Sequence, residues 1–177
     1  MPGLTIGWDY LTGRCIATSP ASRQAAEWPP HPGRVFMALA AAWFETGEDT
    51  EEGAALRWLE SLGEPDLVLP SSEDVFPRSV VDVYVPVNDR ADAHDQPDKK
   101  KKATIHPHLG SVAIGRSRQA RTFPSLWVGE APCFLHWPNA GGADAHRATL
   151  DRLCGKVTRI GHSSSFVRMW VADGIPA

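Results

Sequence analysis

Residues 133–171 read CFLHWPNAGGADAHRATLDRLCGKVTRIGHSSSFVRMWV. Cys133 to Trp137 is an apolar run of strand length. Asp144 can cap a helix reaching about Cys154, with Leu150, Leu153 and Cys154 on its inner side and Gly155 as its stop. From Phe166 to Val171, the residues Val167, Met169 and Val171 alternate with Phe166, Arg168 and Trp170, which is the period of a strand. The segment therefore reads strand, helix, strand.

The first half repeats that order. Leu4 to Trp8 is an apolar strand, followed by a turn at Thr12-Gly13 and a short stretch from Arg14 to Thr18. Pro29, Pro30 and Pro32 lead into a helix over about 33–46, with Val35, Phe36, Leu39, Ala40 and Trp43 at helical spacing and Gly47 as its stop. A second helix over about 51–62 carries Leu56, Leu59 and Leu62, and Gly63 and Pro65 end it. In residues 79–87, Val81, Val83, Val85 and Val87 alternate, which predicts the next strand. No internal repeat and no linker divides the chain, so a single domain over 1–177 is expected. With the two helices taken as one layer, the order is β-α-β-β-α-β. That is an α+β, ferredoxin-like (RRM-like) fold with a long insertion, about 88–131, between its central strands.

The composition suits a soluble globular chain: 177 residues, 42% apolar and 22% charged. Cys15, Cys133 and Cys154 lie far apart, which excludes a disulfide scaffold or cysteine zinc ribbon and suits a reducing cytoplasm. The opening MPGLTIGWDY is no secretory signal, and the longest apolar run, Val35 to Phe44, is half a membrane span. The net charge of −3 conceals an asymmetry: residues 45–98 sum to −12, whereas residues 99–129 contain no acid and sum to +7. A basic block in an acidic chain points to phosphate.

Three constellations follow. Arg116, Arg118 and Arg121 are interleaved with Ser117, Gln119 and Thr122, and guanidinium forks with hydroxyl and amide donors suit a nucleic-acid backbone; a surface strand with ordinary salt bridges is the other reading. Lys99, Lys100, Lys101 and Lys102 are either a solvated loop tip or an electrostatic aid to the same ligand. Arg159 with Ser163 and Ser164 forms a second anion cradle, in which His162 is a candidate acid or base or simply a hydrogen-bonding residue. In WPPHPGRVF (28–36), His31 and Arg34 stand at a helix start, where amides favour phosphate; a plain helix entry with Trp28 as a lid is the other reading. His106 and His108 have no ligand cluster around them, so no metal and no cofactor are expected. Phe166, Arg168 and Trp170, with Trp8 across the sheet, are either a base-stacking row or a buried packing surface. No phosphate-loop, nucleophile-elbow or zincin pattern occurs.

The motifs YLTGRCIAT (10–18), WPPHPGRVFMALAAAWFETG (28–47), YVPVND (84–89), RQARTFP (118–124) and VTRIGHSSSFV (157–167) resemble the CRISPR-associated RAMP family. More narrowly, they resemble the Cas-five-like opening half of the fused Cas-five/Cas-six subunit of type I-U (I-G) Cascade. Gly33 departs from that pattern, standing where the family is expected to have an acidic residue. The resemblance implies a RAMP domain that grips the 5′ handle of CRISPR RNA and caps one end of Cascade, with the 88–131 insertion as its thumb. The ribonuclease activity is expected in a Cas-six-like domain that these residues do not include. Arg116, Arg118, Arg121, Lys99–Lys102, Arg159, Ser163, Ser164, Arg14 and Arg34 are the RNA-binding candidates. Two alternatives stand beside this reading. One is a metal-independent repeat endoribonuclease using His162 or His31. The other is a scaffold docking other Cascade subunits through the acidic 45–98 segment and exposed tryptophans. Neither a membrane nor a small-molecule substrate is expected.

Overall fold

The computed structural model describes residues 3–80, 82–86 and 118–175. In chain order its strands are β1 (Leu4–Tyr10), β2 (Arg14–Ile16), β3 (Asp66–Val68), β4 (Phe76–Pro77), β5 (Asp82–Pro86), β6 (Arg118–Thr122), β7 (Ser125–Trp127), β8 (Cys133–Trp137) and β9 (Val167–Ala172). The helices are α1 (Pro32–Glu45), α2 (Thr50–Ser61) and α3 (Ala143–Cys154). Met1–Val80 and Phe123–Ala177 make one compact unit, and Val81–Thr122 make another.

Four strands of the first unit form an antiparallel sheet in the order β3-β8-β1-β9. β1 is linked through α1 and α2 to β3, and β8 through α3 to β9. These two crossovers interleave, which is the ferredoxin-like arrangement. Leu4, Ile6, Trp8 and Tyr10 of β1 point to the helices with Leu135, Trp137, Val167 and Met169. Val35 and Leu39 of α1, Ala55, Leu56 and Leu59 of α2, and Leu150, Leu153 and Cys154 of α3 close that core. Each large aliphatic side chain so buried stabilises the fold by about 1.5–3 kcal/mol. Within the helical layer, the carboxylate of the buried Glu52 is held by Lys156 Nζ at 2.7 and 2.9 Å.

Several expectations are corrected. The second core strand is β3, not residues 79–87. Asp82–Pro86 pairs instead with Arg118–Thr122 as a two-stranded ribbon in the other unit. The valine alternation signals an extended chain but not its partner, and a ribbon of two strands leaves Val83 and Tyr84 exposed. β3 escapes a periodicity search because three residues complete barely one period. The connection between the central strands is therefore the whole of 69–132, and 88–131 are not its limits. Its last part belongs to the first unit: β7 pairs with β2 and with β4 in a second antiparallel sheet, in the order β2-β7-β4. α3 is capped by Gly142 in a left-handed conformation, with Asp144 inside the first turn. Trp8 is opposite Met169 on the helix-covered face and is fully buried, so it does not join Phe166, Arg168 and Trp170.

Candidate nucleic-acid interface

The face of the four-stranded sheet turned away from the helices is built by strand parity. It carries Thr5, Gly7 and Asp9 from β1, Phe134 and His136 from β8, and Arg168, Trp170 and Ala172 from β9. Gly7 lies between Phe134 and Trp170 in register, and a methyl group there would fall 2.8 Å from both rings. The missing side chain lets the two rings meet edge to face over the backbone, with centroids 6.2 Å apart and an interplanar angle of 88°. Phe134 is buried and supports the half-buried Trp170. The Arg168 guanidinium lies 5.5 Å from the Trp170 ring centroid and is ion-paired with Asp9. Phe166, 48% exposed, precedes this row on the same parity. Thr5 Oγ1 and His136 Nδ1 are hydrogen-bonded at 2.9 Å. The result is a row of one half-buried and one exposed aromatic ring with a cation between them, the kind of surface on which unpaired bases stack.

On the helical side, a groove of about 680 Å³ brings together Arg34, His31, Lys156, Arg159 and Gly161. Its cations are all engaged. Arg34 holds Glu27 by two bonds of 2.8 Å and reaches Thr18 O at 3.3 Å. Arg159 pairs with Glu45 at 2.9 Å, and Lys156 with Glu52. The hydrogen bonds from Arg34 hold the Glu27 carboxyl below the usual carboxylate range, and the same bonds raise the Arg34 guanidinium. The amides at the start of α1 are also used, since His31 Nδ1 accepts from Gly33 N–H at 3.0 Å and His31 O from Arg34 N–H at 2.8 Å.

The serine loop is partly structural. Ser165 is buried, and its Oγ accepts from Ile16 N–H at 2.7 Å and donates to Ile16 O at 3.3 Å, tying the loop to β2. Ser164 Oγ is 2.7 Å from His162 Nδ1, and the His162 ring stacks at a tilt on Phe123 with centroids 4.7 Å apart. Ser163 and Ser164 are exposed. Arg14, on β2, is exposed and opposite Trp127.

Lys99–Lys102, Arg116, His106 and His108 lie outside the described residues. In the ribbon, Arg118 is opposite Pro86 and the exposed Arg121 opposite Val83. Among the described residues no three of His, Cys, Asp or Glu gather to hold a metal, and no helix is long and apolar enough to cross a membrane. Burial pushes the Cys133 thiol up to about 12 and raises those of Cys15 and Cys154, so all three are poor nucleophiles. Sequence reasoning found Phe166, Arg168 and Trp170 but missed Gly7, Asp9 and Phe134. An isolated glycine inside an apolar strand was the available signal for a close approach.

Residues 9–98, just over half of the chain, match the family model described as CRISPR-associated protein, GSU0054 family. Three of the five motifs singled out above fall inside that span. No curated protein matches the chain.

Proposed function

This chain belongs to the CRISPR-associated GSU0054 family, and from that premise we propose that it is a Cas-five-like domain binding the 5′ handle of CRISPR RNA. In this reading it caps one end of a type I-U (I-G) Cascade complex in the cytoplasm, together with other Cascade subunits. The observation that carries the proposal is the Phe166-Arg168-Trp170 row, supported by Phe134 over Gly7, on the helix-free face of a ferredoxin-like sheet. Such a face offers bases a stacking surface, with the Arg168 guanidinium held beside Trp170 by Asp9. Arg116, Arg118, Arg121 and Lys99–Lys102 supply the sequence-independent attraction, with Ser163 and Ser164 as further contacts; Arg34 and Arg159 join them only by releasing Glu27 and Glu45.

In this reading the domain binds rather than cuts. His31 Nδ1 caps α1 and His162 Nδ1 meets Ser164 Oγ, which fixes both rings and leaves their Nε2 atoms to the cleavage assay below. A labelled repeat-derived 5′-handle RNA, titrated against a scrambled RNA across a salt series, tests the proposal. Preference for the handle is expected. Changing Arg116, Arg118 and Arg121 to Ala should make the salt slope shallower by about 0.7 per lost phosphate contact. Equal and feeble binding of both RNAs would refute it. A defined cut in repeat RNA incubated with the protein in EDTA would establish the nuclease reading instead.

A further inference from the structure

The outer face of the small sheet carries a second aromatic surface, one that sequence motifs do not announce. Register places Arg14 of β2 opposite Trp127 of β7, and Trp127 opposite Phe76 of β4. The three side chains thus lie in a line across three strands, spanning about 10 Å. Trp127 is 40% exposed and Phe76 56% exposed, while their neighbours Leu126 and Cys15 are buried beneath. The six-membered ring of Trp127 rests on Gly13, where a methyl group would approach it to 2.7 Å. Gly13 holds a left-handed turn (φ 62°) that is bonded on both sides, to Tyr10 O and from Val128 N–H. The indole is therefore held in place from below and open above. Arg78 N–H bonds Ser125 O at 3.0 Å, which continues the pairing past β4 and sets Arg78 on the same face as Phe76 by the two-residue period.

The charges on this face bear on its occupant. Among the described residues, Arg34, Arg152, Lys156, Arg159 and Arg168 each have a carboxylate partner. The guanidinium groups of Arg14 and Arg78 have none, and both are exposed. Two uncompensated planar cations beside two exposed rings are complementary to a ligand that carries both flat apolar faces and negative charge. We propose that this face is a binding site for single-stranded RNA, with unpaired bases stacking on Trp127 and Phe76 and the flanking phosphates gripped by Arg14 and Arg78. The site is distinct from the Phe166-Arg168-Trp170 row, and the inference rests on the RNA-binding reading above in supposing that RNA is the nucleic acid presented.

The test uses the full chain, with a labelled ten-nucleotide oligoadenylate and an abasic oligomer of the same phosphate number as probes. Trp127→Ala should weaken oligoadenylate binding roughly tenfold and leave the abasic oligomer unaffected, and Trp127→Phe should restore part of the loss. The double variant Arg14→Ala/Arg78→Ala changes only exposed side chains, so it keeps the fold. It should make the salt slope for both probes shallower by about 1.4. Trp170→Ala serves as the comparison on the other face. Handle RNA binding that survives Trp127→Ala and the double arginine variant unchanged, but is lost in Trp170→Ala, would overturn this site and leave the proposed function standing. No RNA binding by the wild-type chain would overturn both. Intact RNA binding with loss of co-purification of another Cascade subunit in Trp127→Ala would show the face to be a protein interface and overturn the proposal.

Discussion

Gly7 shows how one missing side chain organises a surface. It is flanked in register by Phe134 and Trp170, and both rings occupy the space a Cβ would need. Gly7→Ala should lower the urea midpoint by the equivalent of about 1–3 kcal/mol with an unchanged m value, because the rings must move apart. Glu27 provides a pH signature. Its carboxyl is held low chiefly by the Arg34 hydrogen bonds, so it contributes stability that is complete above the ordinary carboxylate pKa near ~4.3. That contribution is lost as the pH falls through the depressed folded-state value. Glu27→Gln should therefore cost about 1–2 kcal/mol at pH 7 and much less near pH 3, and denaturation at the two pH values measures the difference. A gap that does not narrow on acidification would mean that the pair contributes through packing alone.

At the scale of the element, the helices obey local chemistry closely. α2 begins at Asp49, whose Oδ1 accepts from Glu51 N–H and Glu52 N–H at 3.0 Å each. Asp49→Ala should destabilise the protein by about 1 kcal/mol, read from thermal or urea unfolding, whereas Asp49→Ser should be close to neutral. Elements of this kind are legible because cap, apolar stripe and stop lie within one helix length. Strand β3 is not legible, since its three residues acquire a role only when β8 pairs with them. The valine strand was legible as a strand, and its misplacement in the core shows the limit of period-two reasoning. Alternation reports the pleat, while sheet membership depends on which distant edge accepts the ladder. The two aromatic surfaces divide the same way. Arg168 and Trp170 lie two residues apart on β9 and Phe166 two residues before them, so the three can be grouped from sequence. Arg14, Phe76 and Trp127 are separated by dozens of residues and meet only through the register of the small sheet.

At the scale of the whole molecule, the chain leaves the first unit after Val80 and re-enters it at Phe123. Phe76 and Trp127 are paired on the near side of those points, and Arg78 is bonded to Ser125. The two ends are therefore held close by the small sheet. Replacing 81–122 with a short Gly/Ser linker should leave the first unit folded, with one cooperative transition within about 1 kcal/mol of the parent. The same variant lacks the seven basic residues of the 99–129 block, so its salt slope for handle RNA should be shallower by at most about 5. An unchanged slope would remove that block from the interface. The helices, the strands β1, β8 and β9, the α+β class and the charge asymmetry can be read from the sequence, because each depends on composition, contacts or periods within a short stretch. The tertiary structure alone decided which strand completes the sheet, where the long connection begins and which face buries Trp8. It also decided which arginines are neutralised by carboxylates more than a few residues away. All of these are set by pairing between distant segments, and local spacing carries no information about a partner far along the chain.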